Sequence, residues 1–234
     1  MNLPIIQTPT YELKLISIDE PVEYRPFLVK EEKLLLTAME GNDPNEVIRA
    51  VKQILINCTI TEIDVESLPT FDMEYLFLNI RSKSIGETSD IIINCQTCEE
   101  GIPISIELDD IKPTMDESHT PQIKLNDELT IEMKYPTMQN ITQFSQEETS
   151  TEQTFKMIEE SIFAIYDSEN VYYLEDFPKS ESEKFINSLT QEQFLSIANF
   201  FNTMPTLTKE VEYTCNKCDA SNTMILSGLQ SFFE

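Results

Sequence analysis

Two C-x-x-C hooks, Cys95-Gln96-Thr97-Cys98 and Cys215-Asn216-Lys217-Cys218, limit what this chain can fold into more than any other stretch. Each follows a strand-like run, residues 90–93 and 211–213, and each precedes another, residues 102–108 and 223–226. Two thiolates two residues apart on a turn point at a common centre about 2.3 Å from each sulfur. Two such hooks complete a tetrahedron, so Cys95, Cys98, Cys215 and Cys218 are expected to form a closed, structural four-cysteine zinc site. The hooks are separated by 116 residues, far more than the roughly 15–20 of a compact zinc motif. The zinc ribbon is therefore expected to be split, with other structure inserted between its halves.

Other cysteine chemistry fits less well. A redox C-x-x-C favours a helix N-terminus beside a βαβ unit, whereas both hooks here run into strands, the first with Pro103 close behind. Disulfides need an oxidising compartment. The opening residues, Met1-Asn2-Leu3-Pro4-Ile5-Ile6, lack the basic region and long apolar run of a secretory signal, so a reducing cytoplasm is expected. The fifth cysteine, Cys58, falls on the apolar side of a predicted helix and reads as a small core residue.

Charge narrows the function classes. Against 16 basic residues stand 42 acidic ones, a formal net charge of −26. Such a field repels nucleic acid and anionic lipid, and no basic stripe suited to a phosphate backbone is present. Nor is there an apolar run of the roughly 18 residues that would suggest a membrane span. With only 4 glycines, neither a dinucleotide fingerprint nor a P-loop occurs, and no small-molecule substrate is expected. The single histidine, His119, lies in a Pro-flanked stretch with no nucleophile or orienting acid near it in sequence, so it reads as a solvated loop residue.

The expected fold class is α+β: a helical core with short antiparallel strands and the split four-cysteine ribbon. The expected organisation is one elaborated domain over residues 1–234. Within it, 1–30 form an extended arm, 31–88 a helical part, 89–112 and 206–226 the two ribbon halves, and 113–205 an inserted α+β part. Asp43-Pro44-Asn45-Glu46 gives a cap, a first-turn proline and a reaching glutamate for a helix carrying Val47, Ile48, Val51, Ile54 and Leu55. Residues 70–85 carry apolar side chains almost all round, as a buried central helix would, with Thr70 as cap and Gly86 as stop. Arg81 and Lys83 suit the carbonyl end of that helix. Residues 123–133 alternate as a hairpin about Asn126-Asp127. Phe155, Ile158, Ile162 and Ile165 are expected on one helical face after a Ser150 cap. Two more helices open at Ser180 and Thr190, with a short strand at 171–173. The closing segment, from Leu226 to Phe233, is expected to reach a partner protein, or else to dock on the chain's own core.

Several blocks carry a resemblance. The stretch from Arg25-Pro26-Phe27-Leu28 to Thr37-Ala38 resembles the N-terminal signature of the baseplate hub and hub-assembly proteins of T-even-type contractile-tailed phages. Leu68-Pro69-Thr70-Phe71 onward, with Arg81-Ser82-Lys83-Ser84-Ile85-Gly86-Glu87, is similar to the central motif of that family. The run from Phe200 to Pro205, the second hook, and Gly228-Leu229 with Phe232-Phe233 resemble its C-terminal block. The resemblance implies a non-enzymatic protein of the tail. It implies contacts with other tail or baseplate hub proteins, made in the host bacterial cytoplasm during assembly or kept in the virion baseplate. An assembly chaperone for the tail or its tape measure, absent from the virion, is the alternative within that class. A zinc-ribbon nucleic-acid factor or a zinc-dependent enzyme is the alternative outside it. Glu99 and Glu100 beside the first hook keep the enzyme open as a reading, although four thiolates leave no position for water.

Overall fold

Prolines keep the first elements short, because each removes a backbone donor from any ladder it joins. In the computed structural model, which describes residues 7–41, 44–142 and 150–232, the chain starts with two three-residue strands. These are β1 (Tyr11–Leu13) and β2 (Val22–Tyr24), paired antiparallel with Leu13 opposite Val22. Helices α1 (Val29–Glu40), α2 (Pro44–Cys58) and α3 (Thr70–Ile85) follow. Strands β3 (Thr88–Asn94) and β4 (Gly101–Glu107) make an antiparallel pair, and β5 is Pro113–Thr114. Next come β6 (Gln122–Lys124), β7 (Thr130–Met133), α4 (Met138–Thr142), α5 (Ser150–Ser161), β8 (Ile162–Tyr166) and β9 (Val171–Tyr173). Helices α6 (Lys179–Asn187) and α7 (Gln191–Thr203) precede β10 (Thr206–Thr214) and β11 (Ser221–Ser227). With seven α-helices and only small antiparallel sheets among the described residues, the class is α+β. No helix among them is long and apolar enough to cross a membrane. Asp43, the side chain of Ser150, and Phe233 lie outside the described residues, and with them the two caps and half of the Phe pair.

The chain divides into two compact units, Met1–Thr114 with Thr206–Glu234, and Met115–Pro205. In the first unit α3 is buried along most of its length, including Phe71, Met73, Leu76, Leu78 and Ile80, as its all-round apolar pattern requires. Its cap differs from the expected Thr70: Pro69 is the cap, and its carbonyl accepts from the Asp72 and Met73 amides at 3.1 and 3.0 Å. Pro69 has φ −54° and ψ 147°, outside the helical region, so Thr70 is the first helical residue. At the other end Gly86 takes φ 150°, a conformation that L side chains rarely adopt. Lys83 bonds both Glu87 and Asp109 at 2.7 Å, a helix-end role that also ties α3 to the segment after β4.

The N-terminal arm is anchored rather than loose. Asp72, fully buried in the first turn of α3, accepts from the Ile16 amide at 2.9 Å and the Ser17 amide at 2.7 Å. Leu15 and Val22 of the arm are buried as well. A second anchor is Glu31, only 1% exposed. It accepts from Arg25 at 3.0 Å and from the Leu28 amide at 2.8 Å, the latter reaching back across the first turn of α1 as a capping box does. Burial opposes its charge, but Arg25, the Leu28 amide and Lys30 outweigh burial and hold its pKa below the ordinary glutamate value.

A consequence follows for acid stability. A carboxylate with a depressed folded pKa stabilises the fold above its unfolded pKa of about 4.3, and that contribution is lost as pH falls through the folded value. Glu31→Gln is expected to cost about 1–3 kcal/mol at neutral pH, through the weakened charge-assisted bonds to Arg25. It should also lose the part of the acid transition that Glu31 contributes. Urea unfolding of both proteins, at neutral pH and in acid, checks the two effects.

Of the two courses expected for the closing segment, Leu226 and Phe232 take the second and dock on the chain's own core. Leu226 is 4% exposed and Phe232 fully buried, both in the core that also holds Ile91, Ile93, Ile106 and Leu207. Gly228 turns the chain with φ 76°, and its amide donates to the Leu207 carbonyl at 3.0 Å. The Ser89 hydroxyl then donates to the Phe232 carbonyl at 2.6 Å. Phe232 thus lies on the core through a tight turn, Leu229–Phe232.

In the second unit a four-stranded antiparallel sheet runs β6-β7-β8-β9. The hairpin about Asn126-Asp127 is present, with Ile123 opposite Ile131. One expectation fails here: Ile162 and Ile165 do not continue the α5 face. The helix ends at Ser161, and Ile162–Tyr166 is strand β8, paired to β7 on one side and β9 on the other. A run of β-branched and aromatic residues suits a pleated, two-sided surface better than a helix. Helix α6 likewise starts at Lys179 behind Pro178, so Ser180 is inside it and not its cap. Helix α7 does have the expected reciprocal cap, Thr190 with Gln193, at 2.9 and 3.3 Å.

Candidate metal centre

The two hooks adopt one conformation twice, because each must reverse the chain within a few residues while presenting two sulfurs to the same side. In the first, the Cys95 amide donates to the Glu100 carbonyl at 2.8 Å and the Glu99 amide to the Cys95 carbonyl at 2.9 Å. In the second, Cys215 and Asp219 make the same bonds, to Ala220 and Cys215, both at 2.9 Å. The residue after each second cysteine is left-handed, Glu99 at φ 59° and Asp219 at φ 55°. That conformation costs an ordinary L-residue roughly 1–2 kcal/mol. It is held because β3 and β4, or β10 and β11, are zipped on either side.

The four sulfurs converge. Cys95 Sγ lies 3.7 Å from Cys218 Sγ, and Cys98 Sγ lies 3.6 Å from Cys215 Sγ. All four fall within 4.8 Å of one another, and none is in a disulfide. A tetrahedron with metal–sulfur bonds of about 2.3 Å has edges of about 3.8 Å, so the donor set fits one zinc-sized ion. Each hook also aims an amide at its first sulfur, Thr97 at Cys95 and Lys217 at Cys215, both at 3.4 Å. Such donors favour thiolate over thiol. The Cys98 and Thr97 amides pull the Cys95 thiol down to about 6. Cys218, despite the Ala220 amide, is pushed up to about 12 by the neighbouring thiols.

Three polar ties between the hairpins were not legible in the sequence. Asn222, on β11 and 7% exposed, accepts from the Gln96 amide at 3.2 Å. Its own amide donates to the Ala220 carbonyl at 2.9 Å and lies 3.7 Å from Cys95 Sγ. The Tyr213 hydroxyl donates to the Asn94 carbonyl at 3.0 Å. Lys217 pairs with Glu100 at 2.6 Å across the two hooks, so that glutamate is engaged by a cation. The signal for Asn222 was a polar residue at an inward strand position, which identifies no partner by itself.

Cys58 is fully buried, and burial pushes its thiol up to about 11, in keeping with a core residue. His119 corrects the solvated-loop expectation. In the second unit its Nδ1 lies 2.9 Å from the Thr203 hydroxyl and its Nε2 2.9 Å from the Tyr135 hydroxyl, with Phe200 5.0 Å from its ring centre. Thr203 itself donates to the Asn199 carbonyl at 3.0 Å, so it accepts from Nδ1–H, and Nε2 accepts from Tyr135. Burial lowers the His119 pKa. Both nitrogens are occupied in a structural role.

The profile of the family described as T4 bacteriophage base plate protein matches residues 8–234. No curated protein and no solved structure matches the chain. The matched span runs through the anchored arm, the central helix, both hooks and the inserted unit, nearly the whole sequence, and the chain belongs to the T4 bacteriophage base plate protein family.

Proposed function

We propose that this phage baseplate protein is a non-catalytic component or assembly factor of the baseplate hub, with zinc on Cys95, Cys98, Cys215 and Cys218 locking its fold. The observation that carries the reading is the family match over residues 8–234 on a chain whose four clustered sulfurs form a complete ligand set. Zinc held by four thiolates keeps no open coordination position and supplies folding free energy rather than chemistry. The surrounding residues orient that site: the Thr97 and Lys217 amides face the sulfurs, Asn222 joins the hooks, and Glu100 is paired with Lys217. A zinc hydrolase would need an open coordination position for water, and a set of four thiolates supplies none. The partners are other baseplate hub proteins, met in the host cytoplasm during assembly. A net charge of −26 does not suit nucleic acid.

Infection with phage lacking the gene, followed by purification of baseplates and quantitation of this chain by mass spectrometry, tests the reading. The expected result is incomplete baseplates without the chain, and a fixed ratio of chain to hub in wild-type particles. If baseplate assembly requires the chain but finished particles lack it, the chaperone alternative holds instead. Complete, infectious tails assembled without it overturn both.

A further inference from the structure

Strand β9 adds nothing to the core of its unit. Each of the other three strands in its sheet buries at least one residue, whereas Val171, Tyr172 and Tyr173 are 45%, 37% and 41% exposed. Phe163 on β8 and Phe177 after β9 are exposed too. Four of the five exposed aromatic rings among the described residues therefore fall within residues 163–177. These rings steady one another. Phe163 meets Tyr173 edge to face at 5.5 Å, Tyr172 lies 6.3 Å from Phe177, and the Tyr172 hydroxyl donates to Asp167 at 2.8 Å. Clustered apolar rings on a surface mark an interaction site, and tyrosines are enriched among the anchors of such sites.

The backbone beside the rings is open as well. Strand β9 ends its sheet, with β8 on one side and no described strand on the other. The Asp167 amide donates to the Asn170 carbonyl at 3.0 Å. The alternation of an antiparallel pair then turns both backbone groups of Val171, and the N–H of Tyr173, away from β8. Such an edge can take an added strand. Charge selects the strand. From Ile162 to Pro178 the chain has four carboxylates and no cation. Asp167 is committed to the Tyr172 hydroxyl, but Glu169, Glu175 and Asp176 are exposed. A second copy would set these carboxylates against their own counterparts, on a chain of net charge −26. Arginine answers both features, because its guanidinium stacks on aromatic faces and pairs with carboxylates.

We infer that β9 and the rings around it form a docking edge for an extended, arginine-bearing segment of another protein. The inference rests on the reading of this chain as a working part of baseplate assembly, so that protein is a baseplate partner. The three-residue edge sets the course of the segment, the rings anchor it, and the carboxylates choose its charge.

Photo-cross-linking during infection identifies what covers the edge. The full-length chain, with p-benzoylphenylalanine in place of Phe177, is supplied to phage lacking the gene, and the adduct is sequenced by mass spectrometry. The expected adduct is a peptide of a different protein in which arginine and lysine outnumber the acidic residues. The same probe at Leu195, an exposed position on α7, gives the background. Tyr173→Ser, and separately Glu175→Lys with Asp176→Lys, are each expected to cut the adduct about tenfold at an unchanged melting temperature. The charge reversal lies outside β9 and decides the matter even where Tyr173→Ser loosens the strand. An adduct with the chain's own peptides, or with a segment lacking surplus cations, overturns the inference. So does a yield indifferent to charge reversal, or one no higher than at Leu195. Wild-type chain that restores tails in the same cells shows that the baseplate role stands, and such a failure then belongs to this edge alone. Tails that assemble without any supplied chain overturn the baseplate role itself.

Discussion

Cys95→Ser is expected to release the metal and to unfold the first unit at a much lower temperature than the wild type. Unfolded chains have no preformed four-sulfur site, so the binding free energy of a structural zinc is folding free energy, about 10–16 kcal/mol in small zinc domains. That is comparable to the whole stability of a typical domain, about 5–15 kcal/mol. The apolar core around Ile91, Ile106 and Leu207 remains and moderates the loss. The hooks join β3–β4 to β10–β11 across 116 residues of chain, so losing the site frees a long loop as well as a ligand. Elemental analysis of the untagged protein is expected to give one zinc per chain, and none for Cys95→Ser. Cys58→Ala is expected to retain the full equivalent, because Cys58 is a buried core thiol on α2. Acid should release the metal, since each thiolate must be deprotonated to bind and protons compete as pH falls. A fully folded wild-type protein without metal, melting at the same temperature as Cys95→Ser, contradicts the zinc reading.

Phe232→Ala carries the second-largest expected effect. Phe232 is fully buried, and truncating a buried phenylalanine costs about 3–5 kcal/mol. For a protein of this size that lowers the melting midpoint by about 10 °C. Ser89 also loses a well-placed acceptor if the last turn frays. The alternative, a C-terminal segment held out for a partner, predicts an unchanged melting curve with loss of tail assembly. Thermal unfolding of the zinc-loaded variant separates the two, and an unchanged midpoint refutes the core assignment.

Features legible in the sequence were those whose cause is local. The hooks could be read because C-x-x-C between strands leaves few options for its sulfurs. The α3 helix could be read because apolar residues ring it, and the Thr190–Gln193 cap because both bonding groups lie within one turn. At Ile162–Tyr166 local information was ambiguous. A short apolar run satisfies a helical face and a buried strand equally well, and only the flanking strands β7 and β9 decided for the strand.

By itself, then, the sequence determined the α+β class, the central helix, the baseplate family and the four cysteines that belong together. Tertiary structure alone decided what each ambiguous side chain meets. It set Phe232 against the core instead of in solvent, tied His119 between Thr203 and Tyr135, and gave Asn222 its place beside Cys95. It also turned Glu31 of α1 inward towards Arg25 while leaving Val29, Leu36 and Met39 exposed. The physical reason is the same in each case. Periodicity and turn chemistry act over a few residues, whereas burial and hydrogen-bond partners depend on contacts 84 positions apart for His119 with Thr203 and 143 for Ser89 with Phe232. No local pattern encodes which distant segment will arrive.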